Sequence, residues 1–334
     1  MPRKKRGGRH PAIRLDQAMR QLFRLSRKVT LRLLNGLFDE TFAEAEVTDI
    51  HYEDNRFTTR EGQQLQGDLF LAVQTHDRIY RYHVEFQTLH DRTMAIRMFR
   101  YGMEKALQAP HSAETELTLE YPAQRVIVLE ENGNIPDSLS LLLKFGDGLQ
   151  VRYSVPVMKY WEWSAEQLLA RGLYALLPLQ VFGARAKLKR LARSKRPDAE
   201  KRVQVEEQFR QLQVTLGGTL RILDELYERG ELPFDDLEHM LRIVTYIAEH
   251  LYAQYDPYPH WNEEVDRLIK TLIDPKIWER GKREGRKEGK IEGKIEGKLE
   301  VARNLLALGA EPELIRHATG LSDNELEQLR DQRR

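Results

Sequence analysis

The chain has 334 residues, 41% hydrophobic and 31% charged, so it can build one large domain or two; its lack of cysteine excludes disulfide frameworks, cysteine-ligated zinc and thiol nucleophiles. No apolar run approaches the ~18 residues that cross a bilayer, and no signal-type stretch follows the basic start, which gives the expectation of a cytoplasmic protein without a membrane partner. The net charge of +1 conceals segregation: residues 1–32 carry eleven basic side chains and one acid, Leu37–Asn55 seven acids and no base, and Arg185–Arg202 nine bases against two acids.

In chain order, residues 1–14 form a basic arm that can steer a polyanion or be a solvated tail. A helix is expected near Leu15–Phe42, where Leu15, Met19, Leu22, Leu25, Val29, Leu33 and Phe38 recur at helical spacing. From Val47 to about Tyr160 the period shifts toward two. Strand-like runs lie at Gly67–Val73, Ile79–Gln87, Arg125–Leu129, Ser140–Phe145 and Leu149–Met158, with one helical pattern at Asp91–Leu107. From Ala165 to about Tyr255 the pattern is helical again, broken at Ser194–Asp198 and near Gly230–Pro233.

The pairing of the first and second of these strand runs follows from a two-residue turn at His76-Asp77. Partners then sum to 153, so Leu69, Leu71 and Val73 face Val84, Tyr82 and Tyr80 and one face is apolar. The same register sets Asp68 across from Glu85, with Gln87 on the side of Glu85. Opposed carboxylates repel unless a cation or a proton lies between them. They suit a divalent ion, Mg²⁺ or Mn²⁺, or else are solvated on a surface hairpin. In the helix that follows, Ile96, Phe99, Met103 and Leu107 form an apolar stripe. Arg97, Tyr101 and Lys105 form a second stripe, placed for phosphate contact or for solvent. His76, His83 and His90 are expected to be structural or solvent-facing. No GxxxxGK[ST] loop, GxSxG elbow or HExxH helix is present.

Beyond residue 280 the sequence repeats with period four, from Gly281-Lys-Arg-Glu to Gly297-Lys-Leu-Glu. A helix here would align glycines at ~1 kcal/mol each, so a frayed helix or linker is expected, with self-association through the small-residue stripe as the alternative. Val301–Leu308, Pro312–Thr319 and a helix capped by Ser322 then outline a helix-turn-helix. The acidic last helix points instead to a packing tail without a DNA role.

Taken together, Gly67-Asp68-Leu69, His83-Val84-Glu85-Phe86-Gln87 and Met94-Ala95-Ile96-Arg97-Met98-Phe99-Arg100-Tyr101 resemble, in order and spacing, the Rpn family of recombination-promoting nucleases, also classed with transposases. Pro122–Leu129 resembles that family's next core strand, Leu173–Leu179 its Leu-Pro-Leu segment, and the glycine repeat with Leu305–Leu329 its tail. The resemblance implies an α/β fold with a restriction-endonuclease-like, PD-(D/E)XK core: a mixed sheet flanked by helices and followed by a helical C-terminal region. It also implies a metal-dependent DNA endonuclease associated with recombination or transposition. Asp68 and Glu85 would hold Mg²⁺ or Mn²⁺, and Gln87 would stand where the wider superfamily has lysine. Arg97, Tyr101 and Lys105 would engage DNA, and Glu40 is the nearest candidate for a further helical acid. Glutamine lacks the charge and the proton that lysine offers. The alternative is a catalytically weak or inactive nuclease fold used for DNA binding or assembly. The divisions expected are an arm at 1–14, the core at 15–165, a helical region at 166–278, the repeat at 279–300 and a small helical tail at 301–334, with homo-oligomerisation through the repeat.

Overall fold

The computed structural model describes residues 22–53, 56–58, 64–88, 91–108, 110–112, 116–131, 133–254, 297–306 and 311–321. The arm at 1–14, His90, most of the glycine repeat and the helix expected after Ser322 lie outside these residues. Two compact units are present, Met1–Leu272 and Ile273–Arg334.

In the first unit, α1 spans Arg27–Phe38: the helix expected at Leu15–Phe42 is interrupted at 23–26 and ends early, while its residues 15–21 lie outside the described ones. The Ser26 side chain accepts from the Val29 N–H at its start, and Asp39 turns left-handed (φ 56°) at its end, so capping sets the length that periodicity leaves open. A six-stranded mixed sheet follows, built from β1 (Val47–Tyr52), β4 (Leu69–Thr75), β5 (Ile79–Gln87), β8 (Ala123–Val128), β9 (Ser138–Lys144) and β10 (Gln150–Lys159) in the order β1-β4-β5-β8-β10-β9. Two short ribbons, β2–β3 (Arg56–Thr58, Gln64–Gln66) and β6–β7 (His111–Ser112, Leu117–Thr118), stand apart from it. β5, β8 and β10 run parallel, and β4 and β9 run antiparallel to their neighbours. Edge strand β1 has no clear apolar alternation, which is why period two alone misses it.

The β4–β5 register bears out the pairing expected from the turn: Leu69 pairs with Val84, Leu71 with Tyr82 and Val73 with Tyr80. The Thr75 N–H donates to the Arg78 carbonyl and closes the His76-Asp77 turn. Both faces of β4 are buried, since α1 covers one and α2 (Met94–Leu107) lies over the other. On the α1 face Phe38 packs on Tyr82 at 4.8 Å and Phe23 stacks on Phe86 at 4.9 Å. On the α2 face Met94, Met98, Val126, Val128, Ile135 and Val155 make a core cluster.

The stripe expected on α2 is corrected here. Ile96 and Leu107 are 48% and 52% exposed, while Met94, Met98, Tyr101 and Lys105 are buried. The helix is rolled so that its polar row faces the sheet, because Glu85 and Glu53 lie there to satisfy Arg97 and Lys105.

After a 3₁₀ turn at Tyr160–Glu162, α3 (Ala165–Ala170) carries a Ser164/Gln167 capping box. A second 3₁₀ run, Tyr174–Val181, is buried almost throughout and is the hub against which α1, α3, α4 (Phe182–Arg193), α5 (Asp198–Glu228) and α6 (Phe234–Gln254) pack. The expected helix breaks at Ser194–Pro197 and around Gly230 are present, Gly230 adopting φ +68°. Arg32 of α1 reaches Glu231 at 2.6 Å, where the Tyr174 hydroxyl also donates at 2.8 Å, tying the sheet layer to this helical region. Among the described residues no helix is long and apolar enough to cross a membrane.

In the second unit, residues 297–306 and Pro312–Thr319 are helical. They pack through Ala302, Ile315 and Leu321, with Leu299, Leu305 and Leu306 around them. Gly320 ends the second helix in a left-handed conformation, its N–H donating to the Arg316 carbonyl at 2.7 Å.

Candidate active site

The site forms at the open end of the β4–β5 hairpin, at the carboxyl end of the parallel strand β5, where ligands of open α/β sheets usually lie. Asp68 and Glu85 face each other there and clasp across the strands. The Asp68 N–H donates to Glu85 Oε2 at 3.1 Å, and the Phe86 N–H donates to Asp68 Oδ2 at 2.8 Å. Glu85 is 1% exposed. Burial, then the charge of Glu85, pushes the Asp68 carboxyl up to about 7. Burial likewise pushes Glu85 up to about 7, against the pull of Arg97 and of the Asp68 N–H.

Arg97, projecting from α2, donates through Nη2 to Glu85 Oε1 at 2.7 Å and through Nη1 to Asp91 Oδ2 at 3.3 Å. Its side chain is 36% exposed, so the guanidinium meets both the buried acid and the solvent. Gln87 Nε2 lies 3.4 Å from Glu85 Oε1, close to the pair as the alternation of β5 requires.

Tyr101 and Lys105 occupy the same helix row but lie deeper. Tyr101 is buried, its hydroxyl accepting from Arg97 at 3.4 Å. Lys105, 4% exposed, reaches Glu53 Oε2 at 3.2 Å and Gln108 Oε1 at 3.2 Å and sits 5.3 Å from the centre of the Phe70 ring. Its ammonium is therefore turned into the protein, not toward a surface where a phosphate backbone would run. Glu40 is also placed elsewhere: it accepts from the Tyr82 hydroxyl at 3.0 Å on the α1 face of β5, opposite Glu85, so it does not join the pair.

His76 is exposed in the turn, whereas His83 is wholly buried beside the acids, its Nε2 at 3.4 Å from Glu85 Oε2. His83 lies on the face of Glu85 that the alternation of β5 gives it, buried there as a structural histidine would be. Gln124 on β8 and Tyr153 on β10, which pack behind His83, carry no motif by which a sequence could reveal them. Gly67 belongs to the same packing. A Cβ at Gly67 would lie 2.7 Å from Phe70 Cε2 and 3.1 Å from His83 Nε2, so Gly67→Ala should cost about 1–3 kcal/mol. Urea unfolding checks this, and a midpoint equal to that of the wild type would show that the two rings yield without cost.

Whether these residues fit a divalent ion is decided by their donors. Among the described residues no group of three or more His, Asp or Glu side chains is set to hold a metal. Two carboxylates with an adjacent amide oxygen suit an ion that keeps several of its waters, as Mg²⁺ does. Two carboxyls pushed up together are also what an added cation would relieve, so the donor set fits.

Beside the site, Thr88, Glu130, Glu131, Ala186, Lys189, Arg190 and Arg193 line a hollow of about 170 Å³, so the second basic stretch comes close to the end of β5. Glu130 and Glu131 hold Arg185 at 2.8 Å and Arg190 at 3.2 Å, which neutralises part of that charge.

Fold and site thus define a mixed α/β protein with a paired-carboxylate site next to an arginine-bearing helix, followed by a separate helical unit. Residues 296–331 match a family model described as the Rpn/YhgA-like nuclease family, C-terminal HTH domain. This match of the C-terminal segment supports membership in the Rpn/YhgA-like nuclease family and agrees with the resemblance seen in the sequence. The match also revises the expectation of a mere packing tail: acidity of the last helix is a poor guide to a segment whose helix-turn-helix outline follows from its caps and turns. No curated protein and no solved structure matches the chain.

Proposed function

We propose that the protein is a divalent-metal-dependent DNA endonuclease with a PD-(D/E)XK-type core, serving DNA recombination or transposition in the cytoplasm. The observation that carries this reading is the buried Asp68–Glu85 pair, both carboxyls pushed up by burial at the end of β5 with Arg97 alongside. Such a pair is costly as decoration and useful as a cation site. The nuclease family of the C-terminal domain supports it.

Asp68 and Glu85 would hold Mg²⁺ or Mn²⁺, and an ion so held supplies polarisation of a phosphoryl oxygen and acidifies a water. Gln87, adjacent to Glu85, orients the attacking water through its amide but adds no charge. Arg97 pairs with Glu85 at 2.7 Å and is partly open to solvent, so it takes the phosphate. The basic arm at 1–14 and the helix-turn-helix tail supply further DNA contact. Homo-oligomerisation through the glycine repeat would bring two such sites to one duplex.

Plasmid cleavage by the full chain, with Mg²⁺, Mn²⁺ and chelator in parallel lanes, tests the reading. Nicking or linearisation is expected with either ion, none with chelator, and none from Glu85→Gln. Cutting that persists in chelator, or in the Glu85→Gln protein, would sink the assignment.

A further inference from the structure

His83 is a buried side chain that the chemistry above leaves unused. Its ring lies flat on Phe70, centroids 4.0 Å apart and planes within 5°, with Tyr101 edge-on at 5.6 Å. Nδ1 lies 3.0 Å from Gln124 Nε2. The partners of Gln124 settle which way its amide points. Nε2 sits 2.9 Å from the Met98 carbonyl oxygen, which can only accept, and Oε1 receives the Tyr153 hydroxyl. Gln124 therefore donates one hydrogen to Met98 and the other to His83 Nδ1. A nitrogen that accepts carries no proton, so neutral His83 is the Nε2–H tautomer. Burial keeps the ring neutral, pushing its pKa down to about 3. That Nε2–H has no aligned hydrogen-bond partner among the described residues, and Glu85 Oε2 lies 3.4 Å from it.

We propose that His83 is a positioning residue for Glu85, its tautomer fixed by the Tyr153–Gln124 chain so that the protonated nitrogen, Nε2, is the one beside Oε2. That oxygen accepts from the Asp68 N–H and has the positive Nε2–H edge of His83 3.4 Å away, which favours leaving Oε1 turned toward Arg97 and the cation. With one ring nitrogen taken by Gln124 and the other protonated, His83 is not itself a ligand. The identity of the cation rests on the function proposed above; the tautomer and its partner do not. Partners behind a metal ligand fix its orientation in this way in many metal sites.

The test uses the full chain labelled with ¹⁵N-histidine. A long-range ¹H–¹⁵N spectrum separates the two neutral tautomers, and His83 is expected to show the Nε2–H pattern, shifted by Glu85→Gln. Gln124→Glu, which sets an acceptor against Nδ1, should invert the pattern to Nδ1–H. In calorimetric titration with MgCl₂, Gln124→Glu and His83→Leu should weaken binding by roughly tenfold to a hundredfold. His83→Gln, whose amide still donates, should stay near the wild type. A wild-type Nδ1–H or imidazolium pattern overturns the proposal, as does a His83 signal indifferent to Glu85→Gln, or unchanged Mg²⁺ affinity in folded Gln124→Glu. Should the wild type take up no Mg²⁺, the metal reading fails by itself, and the two spectral criteria still decide His83. If His83→Leu does not fold, Gln124→Glu is read alone.

Discussion

Asp68→Asn should abolish metal-dependent cleavage and at the same time make the metal-free protein more stable at pH 8. The first effect follows from removing one of the two charges proposed to hold the ion. Several kcal/mol of transition-state stabilisation depend on it, which corresponds to roughly a thousandfold in rate or more. The second follows from the sign of the shifts. Folding raises the Asp68 and Glu85 carboxyls from 3.8 and 4.5 to about 7, so between pH ~4 and ~7 the folded state binds protons that the unfolded state has lost. Unfolding free energy therefore falls as pH rises through that window. Asparagine keeps an oxygen for the Phe86 N–H but carries no charge. The variant should thus escape most of the loss and exceed the wild type at pH 8 by about 1–3 kcal/mol. Thermal unfolding at pH 5 and pH 8, with and without Mg²⁺, reads both. Mg²⁺ should raise the midpoint of the wild type at pH 8 and leave that of the variant nearly in place. A variant less stable than the wild type at pH 8, or one that still cuts, would contradict the coupled-acid account.

Lys105→Ala should cost stability while sparing affinity for DNA. The ammonium is buried against Glu53, itself only 15% exposed, and packs over Phe70. Removing Lys105 strands Glu53 Oε2 while Arg81 still holds Oε1 at 3.3 Å, a cost of about 1–3 kcal/mol, and the lost stem adds a cavity. Urea unfolding gives the stability. A salt titration of DNA binding, done on protein that is still folded, gives the number of phosphate contacts. A salt slope reduced by about one, with little change in unfolding, would return Lys105 to the phosphate-contacting role that its helical spacing suggests.

The hairpin was legible from sequence because its information is local. A two-residue turn sets the sum of partner numbers, and the apolar residues on one face agree with that sum, so Asp68 and Glu85 come together without any knowledge of the rest of the fold. The roll of α2 was not legible, because it depends on partners distant in the chain. Ile96, Phe99, Met103 and Leu107 make the better apolar stripe on a helical wheel, yet Glu53 and Glu85 hold Lys105 and Arg97 inward and the aliphatic ends turn out. Glu40 shows the same limit from the other side: its place in the chain suggests the site, but α1 delivers it to the opposite face of the sheet. The surroundings of His83 come from β8 and β10, about forty and seventy residues on, where Gln124 and Tyr153 look like any other strand residues.

The clasp between Asp68 and Glu85 ties the site to a turn at the far end of the hairpin. Seven residues of β4 separate them, roughly 23 Å at the usual rise of a strand. Those residues transmit length with no slack: one residue added at His76-Asp77 would slide the ladder by a step and carry Glu85 to the α1 side, leaving Asp68 opposite an aliphatic or aromatic neighbour. The exposed tip can therefore change its letters freely but not their number, and indels there should behave as active-site lesions although nothing at the tip touches the acids.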